Sequence, residues 1–126
     1  MVDSAKPRTI MTLLVRNEQD VVAENILFHH FQGVDQFIVM DNLSSDSTVE
    51  IVRDLACSIP IELRLQQDDT YNQSAWVTEM ARSAAVDHGA DWVINNDADE
   101  FWIFPEFDVK TYLQRFPEDV GGVVLN

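Results

Sequence analysis

Blocks of apolar residues recur along the chain, and their spacing switches between that of a strand and that of a helix. The run "TIMTLLV" (residues 9–15) is short, carries threonine and valine, and stops at the polar "RNEQD", which predicts a buried strand. In "VVAENILFHHFQG" the residues Ala23, Ile26, Leu27 and Phe31 share one helical face, and Gly33 is a C-terminal stop. "DQFIVMD" (residues 35–41) is apolar through its whole middle, as a strand covered on both faces is. The turn chemistry of "NLSSDS" then leads into a helix, where Ser47 and Glu50 stand at capping-box spacing and Val49, Val52, Leu55 and Ala56 keep helical periodicity up to Pro60.

"IELRL" (residues 61–65) alternates like a half-exposed third strand. A polar loop separates it from a helix over residues 73–88, with Trp76, Val77, Met80, Ala81 and Ala84 on its packing side and Gly89 as its stop. "DWVIN" (residues 91–95) is the fourth strand. After it come an aromatic loop, "FWIFPEF", a short helix in "DVKTYLQRF" capped by Asp108, and the beginning of another strand in "GGVVLN".

Strands alternating with helices predict an α/β fold, a mainly parallel sheet with helices on both faces, in one domain over residues 1–126. Ligands of such sheets bind beyond the carboxyl ends of the strands, where the strand order reverses. The unusual polar residues occupy those positions. Arg16, Asn17 and Glu18 follow the first strand, Asp41 and Asn42 the second, and residues 96–100 the fourth. With the first strand central, between the second and the fourth, all three groups share one rim.

Composition narrows the partners. The formal charge is −14, which argues against nucleic acid held on a basic surface and against docking on an anionic membrane. An anionic ligand would need metal ions, helix N-termini or a few placed arginines to offset the repulsion. One cysteine, Cys57, excludes an intramolecular disulfide and a thiolate metal site, and its place beside Ile59 predicts a buried structural thiol. No apolar run approaches the ~20 residues that cross a bilayer, so a soluble, cytoplasmic protein is expected.

The candidate chemistry lies in "NNDADEFW". Asp97 and Asp99 stand two residues apart where a strand gives way to a loop, so the pair can divide its work between a hydroxyl-bearing ligand and a cation. Carboxylate oxygens suit magnesium or manganese, and the plainer alternative is a solvated acidic turn. Asp41 can accept from a base N–H or a sugar hydroxyl, or hold a turn with Ser44, Ser45 and Asp46. Asn17 and Glu18 line the same rim or cap the first helix. His30 falls at the centre of that helix's apolar face and His29 at its edge, both read as hydrogen-bonded packing residues. His88 suits the end of its helix, and Arg82 is expected to pair with the acidic cluster. Trp92, Phe101 and Trp102 read as core or loop anchors.

Several functions of doubly wound sheets lack their motifs. No G-x-G-x-x-G follows the first strand, and neither G-x-x-x-x-G-K-[ST] nor G-x-S-x-G occurs. An aspartyl nucleophile for phosphoryl transfer would follow the first strand, whereas the acidic motif here follows the fourth.

Three blocks in order, "LLVRNEQD", "FHHFQGVDQFIVMDNLSSDSTVEIV" and "ADWVINNDADEFW", make residues 9–104 resemble the nucleotide-binding part of GT-A fold glycosyltransferases of the family 2-like group. Members with a D-x-D-E-F motif carry E-W-I-x-x-H-x-x-x-G-V ahead of D-N-x-S-x-D. Glu24, Ile26, His29, Gly33 and Val34 match that pattern, and Asn25 replaces its tryptophan. The resemblance implies a nucleotide-sugar donor site in which Asp41 contacts base or ribose, Asn17 and Glu18 line the nucleotide pocket, Asp97 lies near the ribose, and Asp99 holds Mn2+ or Mg2+. The acceptor, whether glycan, lipid or protein, is not implied. The general base of inverting members is expected beyond Asn126, so the chain reads as an apparently truncated donor-binding half whose uncovered last strand invites self-association. The rival readings are a sugar-nucleotide-forming nucleotidyltransferase, which usually has a glycine- and lysine-rich loop where this chain has "RNEQD", and a noncatalytic module of the same fold.

Overall fold

The apolar blocks become four parallel strands in the order β3-β2-β1-β4, as described for residues 6–70 and 72–116 of a computed structural model. The strands are β1 (Thr9–Val15), β2 (Gln36–Asn42), β3 (Ile61–Gln66) and β4 (Trp92–Asn96). The helices are α1 (Val22–Phe31), α2 (Thr48–Leu55), α3 (Gln73–Val86) and α4 (Val109–Leu113), with a 3-10 turn at Pro105–Phe107. The strand expected in "GGVVLN", and the self-association argued from it, lie outside the described residues.

Side chains alternate across β1 and sort the core into two layers. Met11, Leu13 and Val15 pack with Val22 and Ile26 of α1, Val52 of α2 and Val109 of α4. Ile10 faces the other way, packing with Ile38 and Met40 of β2 and with Trp76, Met80 and Ala84 of α3. Helices therefore cover both faces, and the inner strands β1 and β2 are buried almost throughout. Full burial of each such aliphatic or aromatic side chain contributes about 1.5–3 kcal/mol. The outer strand β3 is half-exposed along its length, as its alternation predicts.

Both glycine stops have left-handed backbone, φ 106° at Gly33 and 69° at Gly89, a conformation that costs glycine little. Asp108 caps α4, accepting from the backbone N–H groups of Lys110 and Thr111. Asp35 accepts from the N–H of Thr9 and pairs with Lys110, tying α4 to the start of β1.

Four expectations change on inspection. The buried face of α1 is Val22, Asn25, Ile26 and His29, while Leu27 and Phe31 are 48% and 78% exposed. His29 is thus the buried histidine and His30 the exposed one. Asn25 and His29 go inward because they bond the backbone of the segment after β4. The side chain of Ser47 makes no cap bond to α2; Asp46 accepts from the N–H and hydroxyl of Thr48 instead. Cys57 is exposed, because α2 ends at Leu55 and the chain turns at the surface before Ile59 re-enters the core. Arg82 lines, with Glu79 and Asp87, a separate cavity of about 180 Å3 that no residue of the acidic segment borders.

Among the described residues no helix is long and apolar enough to cross a membrane.

Candidate functional site

The strand order brings the three polar segments to one rim. Val15 pairs with Asp41 and Leu13 with Asn96, so β1, β2 and β4 end within two residues of one another at the same edge. The chain runs outward from β1 through β2 to β3 and returns to β4 on the far side of β1, so the order reverses between β1 and β4. A crevice belongs there by construction.

Two adjoining clefts open along this rim, sharing Leu14 and Gln73. The larger, of about 410 Å3, is lined by Arg16, Asn17 and Glu18 after β1, Asn42 at the end of β2, and Gln73 at the start of α3. The smaller, of about 170 Å3, lies at the reversal point against Asn95, Asn96, Asp97 and Glu100.

The β1–α1 and β2–α2 loops are laced together by side chains. Asn17 has φ 54°, a left-handed conformation that asparagine tolerates, and its Oδ1 accepts from Ser45 N–H at 2.8 Å. The N–H of Asn17 donates to Ser44 Oγ at 2.8 Å, and the Ser44 hydroxyl donates in turn to Asp41. Asp41 also accepts from the N–H of Ser44 at 3.1 Å and is only 4% exposed, so its carboxylate holds this turn. Thr48 Oγ1 accepts from the N–H of Glu18 at 2.9 Å while donating to Asp46. The bond from Thr48 and those from backbone N–H groups hold the Asp46 carboxyl below its ordinary range.

The acidic segment is a turn, closed by Glu100 N–H donating to Asp97 C=O at 2.9 Å. Ala98 points into the core, while Asp97 and Asp99 on either side face solvent. The two aspartates lie close enough to Glu18 to act on it. Burial first, then the charges of Asp99, Asp97 and Asp46, push the Glu18 carboxyl above its ordinary value. Glu18, Asp97 and Asp99 therefore share one field, although they come from strands separated by most of the chain. Asn17 and Asp41 form a second group, joined through Ser44.

Among the described residues no group of three or more His, Cys, Asp or Glu is arranged to hold a metal ion by itself. The exposed donors at the rim are hard carboxylate oxygens, of the kind that bind Mg2+ or Mn2+ through one or two carboxylates while waters and a ligand's phosphates complete the shell. A cation there would also relieve the repulsion felt at Glu18. The donor set thus fits a shared ion and not a cage built by protein alone.

Sequence reasoning gave Gln73, Asn25 and Gln32 no place at the site, whereas it put Asn96 on the rim and read His29 as a hydrogen-bonded packing residue, which it is. Gln73 enters both clefts from the first turn of α3. Asn25, His29, Gln32 and Asn96 are buried and bonded to the segment that follows β4. Their signal was the spacing of Asn25, His29 and Gln32, which puts three polar residues on one side of a helix otherwise read by its apolar letters. The anchoring role read for Trp102 holds, its Nε1–H donating to Asn96 Oδ1 at 2.7 Å. Phe101 is partly exposed and stacks on the His29 ring at 6.1 Å.

No protein-family model matches the chain. No curated protein matches it either. Among solved structures, residues 1–349 of TarS from S. aureus, a glycosyltransferase, align at a TM-score of 0.60 and 15% identity over 75% of this chain. The chain spans 28% of the length of that TarS chain. At this identity the likeness establishes the fold: a GT-A-like α/β architecture with a parallel sheet covered on both faces.

Proposed function

We propose that this chain forms the nucleotide-sugar donor site of a family 2-like glycosyltransferase, which transfers a sugar from a nucleotide-diphosphate donor with the help of Mn2+ or Mg2+. The observation that carries the reading is the convergence of Glu18, Asp97 and Asp99 beside two adjoining clefts at the strand-order reversal. The D-x-D motif stands there, and the fold shared with TarS supports the assignment.

In this reading the nucleoside occupies the larger cleft, lined by Asn17 and Glu18. Asp41 contacts base or ribose through the lone pairs its bonds to Ser44 leave over, since a carboxylate offers about four acceptor sites. Asp97 accepts from ribose hydroxyls, and Asp99 holds the cation jointly with the diphosphate. When bound, the ion supplies Lewis-acid neutralisation of the charge that grows on the departing nucleoside diphosphate. The protein's own contribution is placement: Asp97 and Asp99 sit on a turn fixed beneath by buried amides, so they are oriented before a ligand arrives.

Calorimetric titration with UDP and GDP, with and without Mn2+, tests the reading. Metal-dependent binding of either nucleotide is expected, and Asp99→Ala should weaken it at least about 10–100-fold, the cost of losing even a group that only orients a metal ligand. Binding of neither nucleotide overturns the proposal in favour of a noncatalytic module. Release of diphosphate from a nucleoside triphosphate and a sugar phosphate would make the chain a nucleotidyltransferase.

A further inference from the structure

The segment from Asp97 to Phe104 belongs to no strand or regular helix, so its backbone polar groups need partners from elsewhere. They find them in one row of side chains on α1 and its C-terminal turn. Asn25 Nδ2 donates to the carbonyls of Ala98 at 2.9 Å and Glu100 at 2.7 Å, with a longer approach of 3.4 Å to Asp97. His29 Nε2 accepts from the N–H of Trp102 at 3.0 Å. Gln32 donates to the carbonyl of Trp102 at 2.7 Å and accepts from the N–H of Phe104 at 2.8 Å.

The three side chains are almost wholly buried, at 0%, 0% and 1% exposure, in a place where aliphatic residues would pack at no polar cost. Each makes at least one of its bonds to the backbone of this segment. The geometry also dictates a tautomer. A backbone N–H only donates, so Nε2 of His29 must present its lone pair to Trp102, and Nδ1 must carry the proton, donating to the Asn25 carbonyl at 2.8 Å. A protonated imidazole would set N–H against N–H and break the bond to Trp102.

We infer that Asn25, His29 and Gln32 are positioning residues, which fix the acidic turn on α1 and so set where Asp97 and Asp99 stand on the rim. None of them touches a ligand; they act through the backbone that carries the two carboxylates. The placement follows from the bonds alone, while its consequence for ligands rests on the donor-site reading.

Residue-resolved amide exchange together with nitrogen NMR of His29 tests the inference. In the wild-type chain His29 must show a protonated Nδ1 and a bare Nε2. In His29→Leu the Trp102 amide, and in Gln32→Leu the Phe104 amide, should exchange at least about tenfold faster, while amides of β1 and β2 keep their protection. His29→Gln, which retains an acceptor near the position of Nε2, should restore much of the protection at Trp102. The affinity of Asn25→Leu and His29→Leu for Mn2+ with UDP or GDP should fall about tenfold, the usual cost of losing a group that orients a metal ligand.

A proton on Nε2 in the wild type overturns the inference without any variant. So does a Trp102 amide as protected in His29→Leu as before, or a rise in exchange shared equally by every strand, which would mark general loss of stability. Unchanged Mn2+–nucleotide affinity in a variant whose Trp102 amide has been freed overturns it as well. A wild-type chain that binds no nucleotide refutes the donor-site reading instead, and the exchange and tautomer measurements then decide the clamp alone. If the leucine variants do not fold, the wild-type tautomer and His29→Gln decide it.

Discussion

α1 and α3 lie on opposite faces of the same sheet and differ in how many polar side chains they bury. α3 turns Trp76, Met80 and Ala84 onto Ile10, Ile38 and Met40, an apolar contact that needs only shape and area. α1 places Val22 and Ile26 on the sheet but carries Asn25 and His29 beside them, with Gln32 one residue past its end. The difference follows from what each helix covers. α3 covers regular strands, whose backbone groups already bond one another, whereas α1 covers the irregular segment after β4, whose carbonyls and N–H groups still need partners. One helix contributes stability through buried area, and the other fixes an irregular turn through direction.

The largest effect that tests this contrast is a cavity in α3. Met80 is fully buried, and Met80→Ala should cost about 2–5 kcal/mol of unfolding free energy, read from urea denaturation. The loss should be global. Exchange at Trp102 and Phe104 should rise no more than at β1, unlike the local release expected from the α1 variants. A selective release of the 97–104 segment in Met80→Ala would mean that the two faces are not separate in their work.

The contrast also shows what the letters reveal. The strands β1, β2 and β4 were legible from short apolar runs and β3 from its alternation, while the central place of β1 between β2 and β4 was a supposition that the observed order bears out. The glycine stops and the Asp108 cap were legible because each depends on chemistry within a few residues. The rim was legible for the same reason, since it needs only the strand ends to align. The buried face of α1 was not legible, because the partner that draws Asn25 and His29 inward lies about seventy residues along the chain. Ranking by hydrophobicity favoured Leu27 and Phe31, and the structure leaves both at the surface. The capping box read at Ser47 and Glu50 failed differently: the neighbouring Asp46 takes the bonds from Thr48, whose hydroxyl bridges Asp46 and the Glu18 N–H. Of the two readings of Asp41 the structure shows the turn former, since its carboxylate, placed at the rim end of β2, accepts from Ser44.

A second, smaller effect distinguishes the two helices by pH. Burial holds the His29 imidazole below its ordinary value of 6.5, only partly offset by its bond to the Asn25 carbonyl. The unfolded chain therefore takes up this proton first as pH falls. Above about pH 6.5 the neutral ring is present in both states and His29 adds no pH dependence. Below that value stability should decline until the lowered folded-state value is passed. Comparing urea midpoints of the wild type and His29→Gln across this range isolates the histidine from the many carboxylates that titrate nearby. A wild-type decline no steeper than that of the variant would show that His29 is not held neutral and that its bond to Trp102 is absent in solution.

The smallest expected effect concerns the outer side of α1, where the apolar letters are densest and the packing is least. Phe31 is 78% exposed and meets Phe107 edge-on, with ring centres 6.4 Å apart. Phe31→Ser removes that ring pair and little buried area, so its cost should stay below about 1 kcal/mol. A phenylalanine serving as core, by contrast, loses about 3–5 kcal/mol on truncation. The two outcomes are far enough apart for denaturation midpoints to separate them. A small loss means that α1 is held by its inward row, with stability and turn placement concentrated on one side. A loss in the core range would mean that the Phe31 ring is covered in solution and that α1 packs on two faces.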